Sequence, residues 1–131
     1  VVVVSAKLEE EGALLSPEDR LELFEGLGLG EGALAKVVKA GYSAMNLISF
    51  YTLGPKEAHA WTVRKGAKAP EAAGKIHSDL ERGFIRAEVA QIAVVIADGG
   101  WDESKKAGHL RVEGKDYTVA ESDVIVVRFS V

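Results

Sequence analysis

The spacing of apolar residues changes at Leu47, and that change divides the chain into two kinds of structure in succession. Before it, apolar side chains recur every three or four positions, as on a helix; after it they alternate or run together in short stretches bounded by turn residues, as in strands. Residues 47–53 and 58–63 flank Gly54-Pro55-Lys56-Glu57, which predicts a hairpin. Ala69-Pro70 then opens a helix whose apolar positions Ala72, Ala73, Ile76 and Leu80 keep helical spacing as far as Gly83, expected to end it in the left-handed conformation. Residues 84–89, 109–113, 117–119 and 124–129 read as further strands. Residues 90–98 fit a strand or a buried helix equally well, and Gly99-Gly100-Trp101-Asp102 leads into a short polar helix ending at Gly108. Two strands, a helix and more strands predict an α+β fold with the helix packed across one face of a sheet.

The helical part begins with Val1 to Val4, an unalternating β-branched run of the kind found in strands buried on both faces of a parallel sheet. The run has no starting methionine before it, and the expectation is that the natural N-terminus and the neighbouring strands lie upstream. Ser16-Pro17-Glu18-Asp19 reads as a helix start, with a serine cap, proline at the first position and acids in the first turn. Leu21, Leu23, Phe24 and Leu27 form the apolar side of that helix, and Leu34, Val37, Val38 and Met45 that of the next, expected to face inward. The intervening Gly28-Leu29-Gly30-Glu31-Gly32 lacks the spacing of G-x-G-x-x-G, follows a helix, and has no G-K-[ST], so it is no phosphate loop.

Several chemistries are excluded by residue type. With no cysteine among 131 residues there is neither a disulfide framework nor a thiolate metal site, which suits a reducing, cytoplasmic compartment. The longest apolar run, residues 92–97, is far short of the roughly 20 residues of a membrane helix. His77, Ser78 and Asp79 are the residue types of a hydrolase triad, but consecutive helical positions point about 100° apart. His59, His77 and His109 lie far apart without a metal-ligand spacing. No catalytic residue and no metal site are therefore expected in this chain. Trp61, in an alternating strand, is expected in the core, whereas Trp101 suits either a core or a stacking role.

Charge offers one functional clue. The formal net charge is −4, yet residues 56–86 carry 7 basic against 4 acidic side chains. Arg64, Lys65 and Lys68 precede the helix opened by Ala69-Pro70, and Lys75 and Arg82 continue the seven-residue spacing from Lys68, which would align them along one stripe. Glu71 and Asp79, four residues on either side of Lys75, fit an ordinary salt-paired, solvated face equally well.

Four segments in order, Ala58-His59-Ala60-Trp61-Thr62-Val63, Ala73-Gly74-Lys75-Ile76-His77-Ser78-Asp79, Gly83-Phe84-Ile85-Arg86-Ala87 and Glu113-Gly114-Lys115-Asp116-Tyr117, resemble the C-terminal part of the Obg-like ATPases, the YchF family. The resemblance extends over nearly the whole chain. It implies that residues 1–46 are the end of a P-loop nucleotide-binding domain with a helical connector, and that residues 47–131 are a TGS domain of ubiquitin-like β-grasp fold. It further implies that Ser5, Ala6 and Lys7 form the last nucleotide-binding motif, lining the base pocket. The intact family protein uses ATP or GTP with magnesium, while the phosphate loop and switch regions lie upstream; no cofactor is expected in this chain itself. The partners implied are the ribosome or RNA, through Arg64, Lys65, Lys68, Lys75 and Arg82, and the upstream P-loop domain, with no membrane. The chain departs from the family at Leu53, where a small residue is usual, in the apolar stretch 90–98, and at Glu121-Ser122-Asp123, where the family has Asp-Gly-Asp. The function expected is a non-catalytic regulatory and RNA- or ribosome-interacting region; a ubiquitin-like protein-interaction module without nucleic-acid contact is the alternative.

Overall fold

A computed structural model describes residues Val1–Val131, which form two compact units, Val1–Met45 and Asn46–Val131.

The first unit consists of α1 (Ala6–Ala13), α2 (Pro17–Gly26) and α3 (Ala33–Ala44). Ser16 caps α2 as its residue type predicts: its hydroxyl accepts from the Asp19 amide at 3.2 Å, with Pro17 at the first turn. A single large side chain, Phe24, is fully buried here at 1% exposure. Its ring fills the space that side chains on Gly12 and Gly32 would occupy, since a Cβ there would lie 2.8 and 2.9 Å from ring carbons. Glu9 ties the three helices together, accepting from the Arg20 guanidinium at 2.9 Å and from the Ala33 amide at 2.5 Å, a first-turn N–H that α3 cannot satisfy internally.

Residues 1–4 pair with nothing in this unit; the strand expected of them takes its neighbours from residues upstream. One expectation for this unit is corrected. Leu34, Val37, Val38 and Met45 do not face inward: they are 74%, 54%, 48% and 57% exposed. The unit's small core closes around Phe24 and leaves that side of α3 uncovered.

The second unit is a five-stranded mixed sheet of order β2-β1-β5-β3-β4, made of β1 (Leu47–Leu53), β2 (Ala58–Arg64), β3 (Phe84–Gln91), β4 (Arg111–Glu113) and β5 (Asp123–Phe129). β1 pairs antiparallel with β2 through the predicted hairpin and parallel with β5, while β3 pairs antiparallel with β5 and β4. Alternation sends Ile48, Phe50, Val63, Ala87, Val89 and Ile125 to one face, where α4 (Ala69–Ile76) buries Ala69, Ala72 and Ala73 against them, with Trp61 packed at the margin. The opposite face holds a smaller cluster in which Val95 of α6 (Ile92–Asp98) and Trp101 of α7 (Trp101–Lys106) pack on Ala90, Val124, Tyr51 and Leu53. The ambiguous stretch 90–98 thus ends a strand and becomes a helix.

Three local readings fail for physical reasons. The helix expected from Ala69 to Gly83 is broken at His77, whose backbone is extended (φ −163°, ψ 141°), and resumes as α5 (Ser78–Arg82). The break folds α5 back so that the Glu81 side chain occupies the place of a Cβ on Gly74. Gly83 is not left-handed (φ −94°); a side chain there would collide with the Ser130 carbonyl, so glycine is required by crowding. Residues 117–119 form an isolated bridge between Thr118 and Lys68 in place of a strand.

Candidate functional site

Ser5, Ala6 and Lys7 sit where extended chain turns into helix. Ser5 is the N-cap of α1, its hydroxyl accepting from the Leu8 amide at 3.5 Å, and Ala6 and Lys7 begin the first turn. The Lys7 ammonium is 84% exposed and 4.0 Å from Glu11.

The five basic residues of the second unit fall into two sets. Arg64 ends β2 opposite Leu47, Lys65 begins the following turn with its amide donating to the Asn46 carbonyl at 2.8 Å, and Lys75 lies in the last turn of α4; all three are without an ion pair, Arg64 and Lys65 exposed. The other two are engaged. The Lys68 ammonium donates to the Asp116 carbonyl at 2.9 Å and the Thr118 hydroxyl at 2.7 Å, fastening the start of α4 to the loop before β5. Arg82 pairs with Asp79 at 2.7 Å. Since the helix breaks at His77, Lys68, Lys75 and Arg82 do not share a helical stripe. The α4 N-terminus is also less open to anions than its sequence suggests: the Ala69 amide donates to the Tyr117 carbonyl at 2.9 Å, and Pro70 has no N–H.

The loop that receives Lys68 is itself held by a buried carboxylate. Asp123, with no exposed surface, accepts from the Tyr117 hydroxyl at 2.7 Å, the Ala120 amide at 2.9 Å and the Gln91 side-chain amide at 2.6 Å, with the Arg111 guanidinium 3.8 Å away. Burial, and then donation to Asp123, raise the Tyr117 pKa above its ordinary value; the hydrogen bond to Tyr117 raises that of Arg111. The His77-Ser78-Asp79 sequence has a backbone role, because the His77 imidazole Nδ1 accepts from the Asp79 amide at 3.1 Å and caps α5.

Sequence reasoning missed one juxtaposition of charge. Arg86 on β3 and Arg128 on β5, both exposed, are direct cross-strand partners. Strand alternation tells which face each takes, but only the register of a pairing over 42 positions of sequence brings them together.

Comparison with known proteins gives a consistent picture. Residues 47–130 match the family YchF-GTPase_C, described as a protein of unknown function (DUF933). Over all 131 residues the chain is 49% identical to the ribosome-binding ATPase YchF of Bacillus subtilis, covering 36% of that protein. It is 43% identical to human Obg-like ATPase 1, with 99% of the chain and 33% of the relative aligned. The chain thus spans about a third of the length of these curated relatives. The structure of the Schizosaccharomyces pombe YchF GTPase superposes with a TM-score of 0.78 at 31% identity, over 98% of this chain and 34% of that one. A GTP-binding protein from Pyrococcus horikoshii, at a TM-score of 0.52 and 17% identity over 99% of this chain and 31% of that one, shares the fold.

Proposed function

Because the chain belongs to the YchF-GTPase_C family, we propose that it is the non-catalytic C-terminal region of a cytoplasmic P-loop nucleotide-binding protein, and that it contacts ribosomal RNA. In this reading residues 1–46 close the nucleotide-binding domain and connect it to a TGS domain, residues 47–131, that regulates it. The observation that carries the RNA contact is the set of unpaired cations Arg64, Lys65 and Lys75 in a chain of net charge −4. Solvated cations without carboxylate partners are free to replace counterions on phosphate. That relatives bear the name ribosome-binding ATPase supports the choice of partner.

The nucleotide assignment is narrower. ATP or GTP with magnesium requires a phosphate cradle and metal ligands, and this chain has neither a G-x-x-x-x-G-K-[ST] segment nor a group of three His, Asp or Glu residues placed to hold a metal. What the chain supplies is Ser5, Ala6 and Lys7 at the turn from extended backbone into α1, the position at which open parallel sheets line nucleotide crevices. These residues would border the base, while the phosphates and the metal, which supply the hydrolytic chemistry, are held upstream. No helix of the chain is long and apolar enough to cross a membrane.

Ribosome co-sedimentation over a salt series tests the reading. Replacing Arg64, Lys65 and Lys75 together by glutamine weakens binding and lowers the log–log salt slope by roughly 0.7 to 0.9 for each phosphate no longer neutralised. An unchanged affinity and slope would contradict it and favour a ubiquitin-like protein-interaction module.

A further inference from the structure

Arg86 and Arg128 stand directly opposite each other on neighbouring strands, and of the two only Arg128 has an acidic partner within the chain. Like charges in that relation repel and destabilise the pairing. One carboxylate, Glu88, serves the neighbourhood: it accepts from the Arg128 guanidinium at 3.0 Å and lies 3.9 Å from the Lys105 ammonium on α7. Arg86 forms no ion pair, so three cations share one acid. A register irregularity between Phe84 and Arg86 places Ile85 as an extra residue immediately before the pair, and bulges of this kind re-aim the side chains beside them.

We propose that Arg86 and Arg128 form a phosphate clamp for the backbone of an RNA strand crossing this face of the sheet, a proposal that rests on the RNA-contact reading above. A guanidinium is a planar fork of donors that matches the non-bridging oxygens of a phosphodiester, and the pairing sets two of them on adjacent strands. An acidic peptide is the poorer fit. Both strands lie inside the order β2-β1-β5-β3-β4, β3 pairing with β4 over Ala87–Val89 and β5 with β1 at Val124, so neither offers a full-length edge to which a peptide adds as a strand. What the pair offers is side-chain charge, the means by which a nucleic acid backbone is held without reading its sequence. The clamp is distinct from Arg64, Lys65 and Lys75, which belong to β2, the turn after it and α4.

The test is fluorescence anisotropy of a labelled single-stranded RNA dodecamer of mixed sequence, titrated with the whole chain from low to moderate salt. The Arg86→Gln/Arg128→Gln double variant binds about tenfold or more weakly at low salt, with a log–log slope reduced by about 1.4, two phosphates at the single-strand value. The Arg86→Gln single variant, which breaks no ion pair, melts at an unchanged or higher temperature, because a repulsion has been removed; a lowered melting temperature would mark Arg86 as structural and overturn the clamp. Arg86→Lys/Arg128→Lys keeps the slope and loses affinity, as the forks are lost and the charge is not. If the double glutamine variant binds like the wild type while the Arg64/Lys65/Lys75 variant does not, the clamp is wrong and the RNA reading stands. If the unmodified chain binds no RNA at low salt, both fall. Displacement of the RNA by poly-glutamate at equal charge concentration would show a site for acidic protein and overturn the phosphate assignment.

Discussion

The two units differ in how their apolar residues are used. In Asn46–Val131, both faces of the sheet have their own cluster, and Phe50, Val63, Val89 and Val124 are almost wholly removed from water. In Val1–Met45, Phe24 alone among the large side chains is fully buried, while Leu14, Leu21, Leu27, Leu34, Val37 and the four N-terminal valines remain exposed. A sheet with a helix across it is a complete way of burying strands; three short helices around one phenylalanine are not. The same sequence rules therefore produce a self-sufficient unit and one whose apolar surface is suited to further contacts, which agrees with the proposal that residues 1–46 complete a larger nucleotide-binding domain.

The comparison breaks most readily at the two buried phenylalanines. Phe50→Ala, in the middle of β1, is expected to cost about 3–5 kcal/mol, as truncations of fully packed aromatic residues do, and to unfold the second unit cooperatively. Phe24→Ala should abolish the structure of the first unit and leave the melting of the second where it was. Calorimetry of the two variants, with helical and sheet signals followed by circular dichroism, distinguishes them. If Phe24→Ala lowers the melting of the sheet as much as Phe50→Ala does, the units are one cooperative body and the contrast is wrong.

A smaller effect separates engaged from free charge within the second unit. Lys68→Gln removes charge-assisted bonds to Asp116 and Thr118 and is expected to lower stability by about 1 kcal/mol. Replacing Arg64, Lys65 and Lys75 by glutamine should change stability by about 0.5 kcal/mol or less, since surface residues without such partners contribute little. Chemical denaturation reads both, and equal losses would show that Lys68 is not the tether its contacts indicate.

Ser122 offers a still smaller change of opposite sign. It is left-handed (φ 66°), pinned by its amide donating to the Ser49 carbonyl at 2.9 Å and its carbonyl accepting from the Ile92 amide at 2.9 Å. Ser122→Gly relieves that strain at some cost in unfolded-chain entropy, for a net gain of about 0.5 kcal/mol. A loss of stability on that substitution would show that the serine side chain contributes more than its backbone strain costs.

Acid should act locally through Asp98, whose pKa is lowered foremost by its hydrogen bond with His109, 2.8 Å away. A lowered folded-state value means that its contribution is present above the usual carboxylate range and is lost as pH falls through that lowered value. Asp98→Asn should remove this part of the acid dependence in melting curves followed from neutral to acidic pH, and an identical acid profile would refute it.

How much of this was legible depends on whether the cause lay close in sequence. The β1–β2 hairpin was readable because Gly54-Pro55 and the flanking alternation are local, and Ser16-Pro17 announced α2 for the same reason. The break at His77 was not, since apolar spacing continues from Ala72 to Leu80 across it and the fold-back depends on Gly74 meeting Glu81. Val1 to Val4 carry the pattern of a strand, but a strand needs a hydrogen-bonding neighbour, and the one expected is not in this unit. Of the basic residues, their exposure was foreseeable; that Lys68 and Arg82 have partners, and that Arg86 faces Arg128, follows from contacts made across the folded unit.

Native-state hydrogen exchange, resolved by residue, tests the central contrast most directly. Amides of Phe50, Val89 and Ile125 are predicted to exchange only through global unfolding of Asn46–Val131, in one cooperative set. Those of α1, α2 and α3 are predicted to exchange orders of magnitude faster, by local opening of a unit closed around one ring. Equal protection across both units, rising and falling together with denaturant, would contradict the account.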